Sequence, residues 1–222
     1  MTILKHADVT AQVDGRHWRV VLGRLHGTFR TGSFARGVEL VRRVGEVADR
    51  LDHHPDVDLR YPAVHIATSS HDVGGLTERD VALATEISAV VDELGLDAVP
   101  ARPQALEIAI DALDIPSIVP FWRAVLGYED EHLPDEDASP ALLDPAGVGP
   151  AVWFQQMDAP RPQRNRIHLD VSVPHDVAPA RVEAAVAAGG RLVSDLRAPA
   201  FWVLADPEGN EACVCTWQAR EG

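Results

Sequence analysis

Three histidines in the first third of the chain have the types and spacing of an acid–base site. His53 and His54 are adjacent and directly precede Pro55, and His71 precedes Asp72 and a pair of glycines. Imidazole titrates near pH 6.5, so several histidines that converge on one pocket can divide acid and base roles at neutral pH. The sequence therefore predicts proton-transfer chemistry here. The alternative is that adjacent histidines are ordinary surface residues of a loop.

The elements around these histidines follow a simple order. A helix capped by Ser33 must end before Pro55, so the two adjacent histidines lie just past its C-terminal end. Strands are predicted at 57–61 and 64–69, and residues 77–80 open a second helix as a capping box. With two strands before the first helix, the order predicts an α+β domain in which two helices cover one face of an antiparallel sheet. The first helix is predicted to bury its apolar residues at 3–4 spacing, namely Phe34, Val38, Val41, Val44, Ala48 and Leu51.

A linker is predicted at residues 97–104, which contain two prolines and little to bury. It separates a domain at 1–96 from a second domain at 105–222. The second domain repeats a pattern of one strand, one helix and further strands, at about 105–157 and 167–217.

Composition excludes several classes of protein. The 222 residues include 34 acidic and 20 basic side chains, a net charge of −14, whereas nucleic acids are bound at basic patches. No apolar run reaches the roughly 18–20 residues of a membrane span, and the first ten residues lack the apolar core of a signal peptide. We therefore expect a cytoplasmic protein with no nucleic-acid or membrane partner. The two cysteines, Cys213 and Cys215, are two residues apart and would point the same way on a strand. A disulfide between them therefore cannot join distant parts of the chain.

The segment at 49–80 reads DRLDHHPDVDLRYPAVHIATSSHDVGGLTERD, and it resembles the pterin-4a-carbinolamine dehydratase family. The resemblance extends over about residues 3–95. It implies an active site of His53, His54 and His71 that converts 4a-hydroxytetrahydropterins into quinonoid dihydropterins, with no metal or organic cofactor.

The resemblance also implies roles for individual residues. His53 and His71 are expected to handle the acid and the water, and His54 is expected to hold the pterin ring and is the candidate base. The candidate substrate-binding residues are Asp49, Asp52, Arg79 and Asp80. Asp80 is also the third residue of the capping box, so a purely structural role for it stays open. His65 alternates with apolar residues on a strand and is predicted to face solvent.

Residues 105–218 resemble the glyoxalase/bleomycin-resistance/dioxygenase superfamily (vicinal oxygen chelate fold). The matching segments are FWRAVLGY at 121–128, NRIHLD at 165–170 and ADPEGNE at 205–211. The resemblance implies two β-α-β-β-β modules whose sheets curl around a pocket.

Metal-using members of that superfamily take ligands from the first strand of each module and from the last strands. Glu107 and His168 stand at the two first-strand positions, but Cys213 replaces the last-strand carboxylate, and Glu211 lies two residues earlier. Glu107, His168 and Glu211 are thus candidate ligands of a divalent metal, although with this replacement we expect none. The alternative is an unknown small organic ligand held without metal. The aromatic residues that could line its pocket, or belong to the core, are Trp122, Trp153, Phe154, Phe201 and Trp202.

Three functions follow from these two resemblances. The first is a pterin carbinolamine dehydratase with an appended glyoxalase-like domain, acting as a homo-oligomer of at least two subunits. The second is a metal-dependent lyase or dioxygenase centred on the C-terminal domain. The third is a non-catalytic binding or dimerisation module. The complete set of three histidines favours the first.

Overall fold

The computed structural model describes three stretches of the chain, residues 2–131, 140–160 and 167–219. The chain divides into two compact units, 1–105 and 106–222, and each unit has its own apolar core. Among the helices that the structure describes, none combines the length and the apolar character of a membrane span.

The helices and strands of the N-terminal unit are α1 His6–Gln12, β1 Trp18–Val21, β2 Arg24–Arg30, α2 Phe34–Leu51, β3 Asp56–Arg60, β4 Ala63–Thr68, α3 Glu78–Glu93 and β5 Asp97–Ala98. Those of the C-terminal unit are β6 Glu107–Ala112, α4 Ile115–Leu126, β7 Glu129–Asp130, β8 Ala141–Leu143, β9 Ala151–Gln156, β10 Leu169–Ser172, α5 Ala178–Ala187, β11 Arg191–Ser194, β12 Phe201–Ala205 and β13 Glu211–Cys215.

The N-terminal sheet is antiparallel, with the strand order β1-β2-β4-β3, and β5 pairs with β2. Helices α2 and α3 pack against it around a core that contains Leu40 and Ile87. Trp18 on β1 forms hydrogen bonds between the sheet and α3. Its indole N–H donates to the Ala84 carbonyl at 3.1 Å and to the Ser88 hydroxyl at 2.9 Å. The predicted α+β arrangement is confirmed. Helix α1 and strand β5, which begins the predicted linker, are additions to it.

The buried face of α2 differs from the predicted one. Leu40, Val44 and Ala48 are buried, but Phe34 and Val38 are 53% and 48% exposed. The apolar residues of α2 form two overlapping stripes around the helix, and 3–4 spacing alone does not show which stripe meets the sheet.

The C-terminal unit contains the β-α-β-β-β module twice, as predicted. The first module forms a sheet of order β6-β9-β8-β7, in which β6 and β9 are parallel. The second forms a sheet of order β10-β13-β12-β11, in which β10 and β13 are parallel. Residues of both modules, including Phe121, Phe154 and Val214, share one core. Asn165 and Arg166 of the quoted motif lie outside the described residues.

A fragment of residues 1–105 is expected to fold without the rest of the chain, because the core of the N-terminal unit is built from residues of that unit alone. Trp18 is its only tryptophan, so the fluorescence of this buried residue in a urea titration reports unfolding directly. A fragment that ends at residue 96 lacks β5 and should unfold at lower urea. A non-cooperative titration of the longer fragment would show that the unit depends on the C-terminal half.

Candidate active site

Asp80, in the first turn of α3, is the centre of a buried hydrogen-bond network. Its Oδ1 lies 2.8 Å from His53 Nε2 and accepts a hydrogen bond from the Thr68 hydroxyl at 2.8 Å. Its Oδ2 accepts from the Ser70 hydroxyl at 2.7 Å and from the Thr77 backbone N–H at 2.8 Å. The Asp80 side chain is fully buried, so these contacts replace the water that a carboxylate needs.

The charge of Asp80 fixes the tautomer of His53. Burial raises the pKa of Asp80, but the hydrogen bonds from His53, Thr77, Ser70 and Thr68 outweigh burial and leave the pKa below its ordinary value. An ionised carboxylate only accepts hydrogen bonds, so His53 Nε2 must carry a proton and donate it. Nδ1 is therefore the His53 nitrogen left for other chemistry.

The end of α2 positions His53. The helix ends at Leu51, and Asp52 adopts the left-handed conformation with φ of 48°. This reverses the chain, and the His53 backbone N–H donates to the Ala48 carbonyl at 3.1 Å. Asp tolerates this conformation better than most residues, because its short polar side chain can bond locally. The predicted helix end before Pro55 is confirmed.

The first turn of α3 positions Asp80 from the other side. The Thr77 side chain accepts from the backbone of the first turn while Asp80 accepts from the Thr77 N–H, which is the predicted capping box. Asp80 therefore serves both as a helix cap and as the partner of His53.

His54 lies at the surface, next to the buried His53. Its side chain is 61% exposed, and its Nε2 lies 2.9 Å from Asp49 Oδ1. Asp49 is itself exposed on the last turns of α2. A pair so exposed adds little stability, so its main effect is to orient the imidazole ring of His54.

The turn that carries His71 begins at a residue of the buried network. Ser70 forms a β-bridge with Gly75, and the Ser70 N–H donates to the Gly75 carbonyl at 2.9 Å. His71 is exposed and has no side-chain hydrogen bond within the described part of the chain. Asp72 forms an ion pair with Arg79, whose hydrogen bond holds the pKa of Asp72 below its usual value.

A second histidine pair, His26 on β2 and His65 on β4, lies outside this network. His26 Nδ1 is 3.2 Å from His65 Nε2, and His65 Nδ1 is 2.8 Å from the Thr28 hydroxyl. Burial, assisted by the charges of His65 and Arg24, lowers the pKa of His26 to about 4, so His26 is neutral at pH 7. His65 lies on the sheet face opposite the core residues Val64 and Ile66 and is half-buried by its cross-strand neighbours, so the prediction that it faces solvent is correct only in part.

The C-terminal unit holds a cavity of about 560 Å³, bordered by residues of both modules, including Ile108, Trp122, His168 and Glu211. Of the predicted aromatic lining, Trp122 borders this cavity, while Phe154 is fully buried in the core. The indole N–H of Trp122 donates to Asp206 at 3.0 Å.

The side chains of this unit that lie close enough together to bind a metal differ from the predicted set of Glu107, His168 and Glu211. His168, Asp170 and Cys213 each place one ligand atom within 4.8 Å of the others. In the described stretches, Glu107 and Glu211 belong to no such group of three. Burial, with the charge of Asp170, raises the pKa of the Cys213 thiol to about 12.

Comparison with known proteins covers both halves of the chain. The family model for pterin 4 alpha carbinolamine dehydratase matches residues 2–90. A protein of Herpetosiphon aurantiacus, provisionally assigned as such a dehydratase, is 38% identical over 91 residues, which are 95% of that protein and 40% of this chain. A similarly assigned protein of Mycolicibacterium smegmatis is 36% identical over 94 residues, which are 100% of it and 42% of this chain. The chain belongs to the pterin-4a-carbinolamine dehydratase family.

Unlike these dehydratase-family relatives, this chain continues into a second domain. The family model for a glyoxalase-like domain matches residues 107–215. Among solved structures, a glyoxalase/bleomycin resistance protein/dioxygenase family enzyme from Burkholderia phytofirmans is 19% identical. It covers 50% of this chain and 95% of its own, with a TM-score of 0.42.

The dehydratase-family half contains two polar residues to which the sequence analysis assigned no role, Thr68 and Ser70. They lie at the end of β4 and just beyond it, two positions apart, so both can point to the buried face. The sequence feature that could have identified them is a pair of small hydroxyl residues at alternate positions on a buried face. Asp52 has no side-chain hydrogen bond among the described residues; its clear role is the left-handed end of α2.

Proposed function

We propose that the N-terminal unit catalyses the dehydration of 4a-hydroxytetrahydropterins to quinonoid dihydropterins. The observation that carries the proposal is the buried contact between Asp80 and His53 at 2.8 Å, in a chain of the dehydratase family. Three further buried donors hold Asp80 in place, namely Thr68, Ser70 and Thr77. A histidine held this firmly is suited to a proton transfer that requires fixed geometry.

The reaction needs two proton transfers. The lone pair of the pterin N5 forms a double bond to C4a, and the C4a–O bond breaks with its electron pair on oxygen. The departing oxygen takes a proton from an acid and leaves as water, while the N5 proton goes to a base. No electron or net proton is consumed, so the proposed reaction requires neither a metal nor an organic cofactor.

His53 and His71 are proposed to handle the acid and the water. Because His53 donates through Nε2 to Asp80, its Nδ1 is the nitrogen that can exchange a proton with the leaving oxygen. His71 lies on the turn that begins at Ser70, which shares the Asp80 carboxylate with His53.

The remaining polar residues are proposed to bind the substrate at the surface of the site. His54, oriented by Asp49, holds the pterin ring and is the candidate base at N5. Asp49 and Asp52 are available to accept hydrogen bonds from the amide and amine N–H groups of the pterin, and Arg79 is available to donate to its carbonyl oxygen. Asp80 is a positioning residue and not a pterin ligand, because its two oxygens already accept from four protein groups.

The test is a spectrophotometric assay of carbinolamine dehydration by the full chain after treatment with a chelator. We expect the purified protein to accelerate dehydration over the buffer rate, with no added metal. A rate equal to that of buffer, from a protein whose circular dichroism shows the folded state, would favour the binding or dimerisation module.

Two further expectations concern the ligand of the glyoxalase-like domain and the oligomeric state. The 560 Å³ cavity of the glyoxalase-like domain is proposed to take a small organic ligand. A homo-oligomer of at least two subunits stays a prediction, which sedimentation velocity tests. The exposed Phe34 and Val38, one turn apart on α2, are candidate contacts between subunits.

A further inference from the structure

We propose that His168, Asp170 and Cys213 form a three-ligand site for a thiophilic divalent cation, with zinc as the best fit. The site is independent of the dehydratase chemistry. It also differs from the candidate set of Glu107, His168 and Glu211, because all three proposed ligands belong to the second module.

The pairing of β10 with β13 brings these ligands together. The two strands are parallel, and Asp170 is the direct neighbour of Cys213 across the ladder. His168 directly precedes β10, two residues before Asp170, and its Nδ1 lies 3.3 Å from Asp170 Oδ1. Asp170 and Cys213 thus lie on adjacent strands of one sheet, and His168 lies one residue before β10.

Two of the three distances between ligand atoms match the edges of a zinc tetrahedron. With Zn–N and Zn–O bonds of about 2.05 Å and a Zn–S bond of about 2.3 Å, tetrahedral angles give an N···S edge of about 3.6 Å and an N···O edge of about 3.3 Å. His168 Nδ1 lies 3.6 Å from Cys213 Sγ and 3.3 Å from Asp170 Oδ1. Because all three ligand atoms also lie within 4.8 Å of one another, one ion can contact them without a change of strand register.

The donor types select the metal. A thiolate, an imidazole and a carboxylate together suit zinc, whereas magnesium and calcium prefer oxygen ligands only. Binding displaces the thiol proton of Cys213 to solvent, because the thiolate is the ligand. Three protein ligands leave a fourth position for water or a small molecule, and His168 also borders the 560 Å³ cavity.

The experiment is a cobalt titration of the reduced, chelator-treated full chain, followed by competition with zinc. Cobalt bound to a thiolate gives a sulfur-to-metal charge-transfer band in the near ultraviolet, which a site without sulfur does not give. We expect this band to saturate at one equivalent of cobalt and to disappear when zinc is added. The readout needs no enzymatic activity.

Variants identify the ligands. Cys213→Ser should abolish the charge-transfer band. His168→Ala and Asp170→Asn should each weaken cobalt binding by at least roughly 100-fold, since even outer-shell substitutions cost about 10–100-fold. Cys215→Ser is the matched control, because Cys215 is the other buried thiol on β13, and it should keep the band.

Three results would overturn the proposal. The first is no charge-transfer band from a folded wild-type chain. The second is a band that survives Cys213→Ser. The third is a band lost in Glu107→Gln but retained in Asp170→Asn, which would assign the metal to both modules instead of one.

Discussion

Replacement of His53 or His71 by alanine is expected to lower kcat/KM for carbinolamine dehydration by on the order of 10²-fold or more, the usual contribution of a general acid or base. The reason differs between the two residues. His53→Ala removes the imidazole that Asp80 holds at 2.8 Å, whereas His71→Ala removes an exposed imidazole with no structural partner among the described residues. Steady-state rates of the two purified variants measure both effects.

A variant can lose activity because it is less stable or because a catalytic group is missing, and the urea midpoint separates the two causes. His71→Ala should leave the urea midpoint unchanged, because the side chain is exposed. His53→Ala leaves a buried carboxylate without one donor, so its midpoint should fall, and His53→Gln provides a second variant that keeps a polar group. The matched control is His175→Ala in the other unit, which should keep the wild-type rate. Wild-type rates in both alanine variants would contradict the assignment of the site.

Asp80→Asn is expected to destabilise the N-terminal unit by about 3 to 5 kcal/mol at pH 7, the usual cost of breaking a buried charged pair by removing one partner. The Asp80 side chain is fully buried, and its four donors were arranged around an acceptor-only group. Asparagine replaces one carboxylate oxygen by an NH₂ group, which donates and does not accept. At least one of the four protein donors would then face another donor. Urea unfolding of the 1–105 fragment, in which Trp18 is the only tryptophan, measures the difference by fluorescence.

The pH dependence of this difference has a definite sign. The pKa of Asp80 is lowered in the folded state, so its stabilisation is complete above the unfolded carboxyl pKa of about 3.9 and is lost as the pH falls through the lower, folded-state pKa. The gap between wild type and Asp80→Asn should therefore shrink on acidification. Asp72→Asn is the control, because the Asp72–Arg79 pair is exposed and screened, and it should change stability little. An equal loss in both variants would contradict the central role of Asp80.

Local features of the fold could be predicted from the sequence because their causes lie within a few residues. Ser33 caps α2, since its hydroxyl accepts from the Arg36 N–H at 3.3 Å, three residues away. The capping box from Thr77 to Asp80 likewise spans three residues. The repeated module and the two-unit organisation followed from the order of such elements, so they too were available from the sequence.

The candidate site was predicted only in part. The motif identified His53, His54 and His71, but not that Thr68 and Ser70 would share a carboxylate with His53. That network joins residues as far as 27 positions apart, and it exists only because β3 pairs with β4 in one register. The buried face of α2 was mispredicted for a related reason, since the choice between its two apolar stripes depends on the sheet beneath it.

The sequence by itself determined the order of the main elements, the ends of α2 and the start of α3, the family of each half and the three histidines of the proposed site. Only the tertiary structure decided which distant side chains meet. It pairs His26 with His65, 39 residues apart, and His168 with Cys213, 45 residues apart. The physical reason is that caps and periodicity act within a turn or two of the chain. Contacts between strands depend instead on register, where a shift of one residue would turn every side chain to the opposite face.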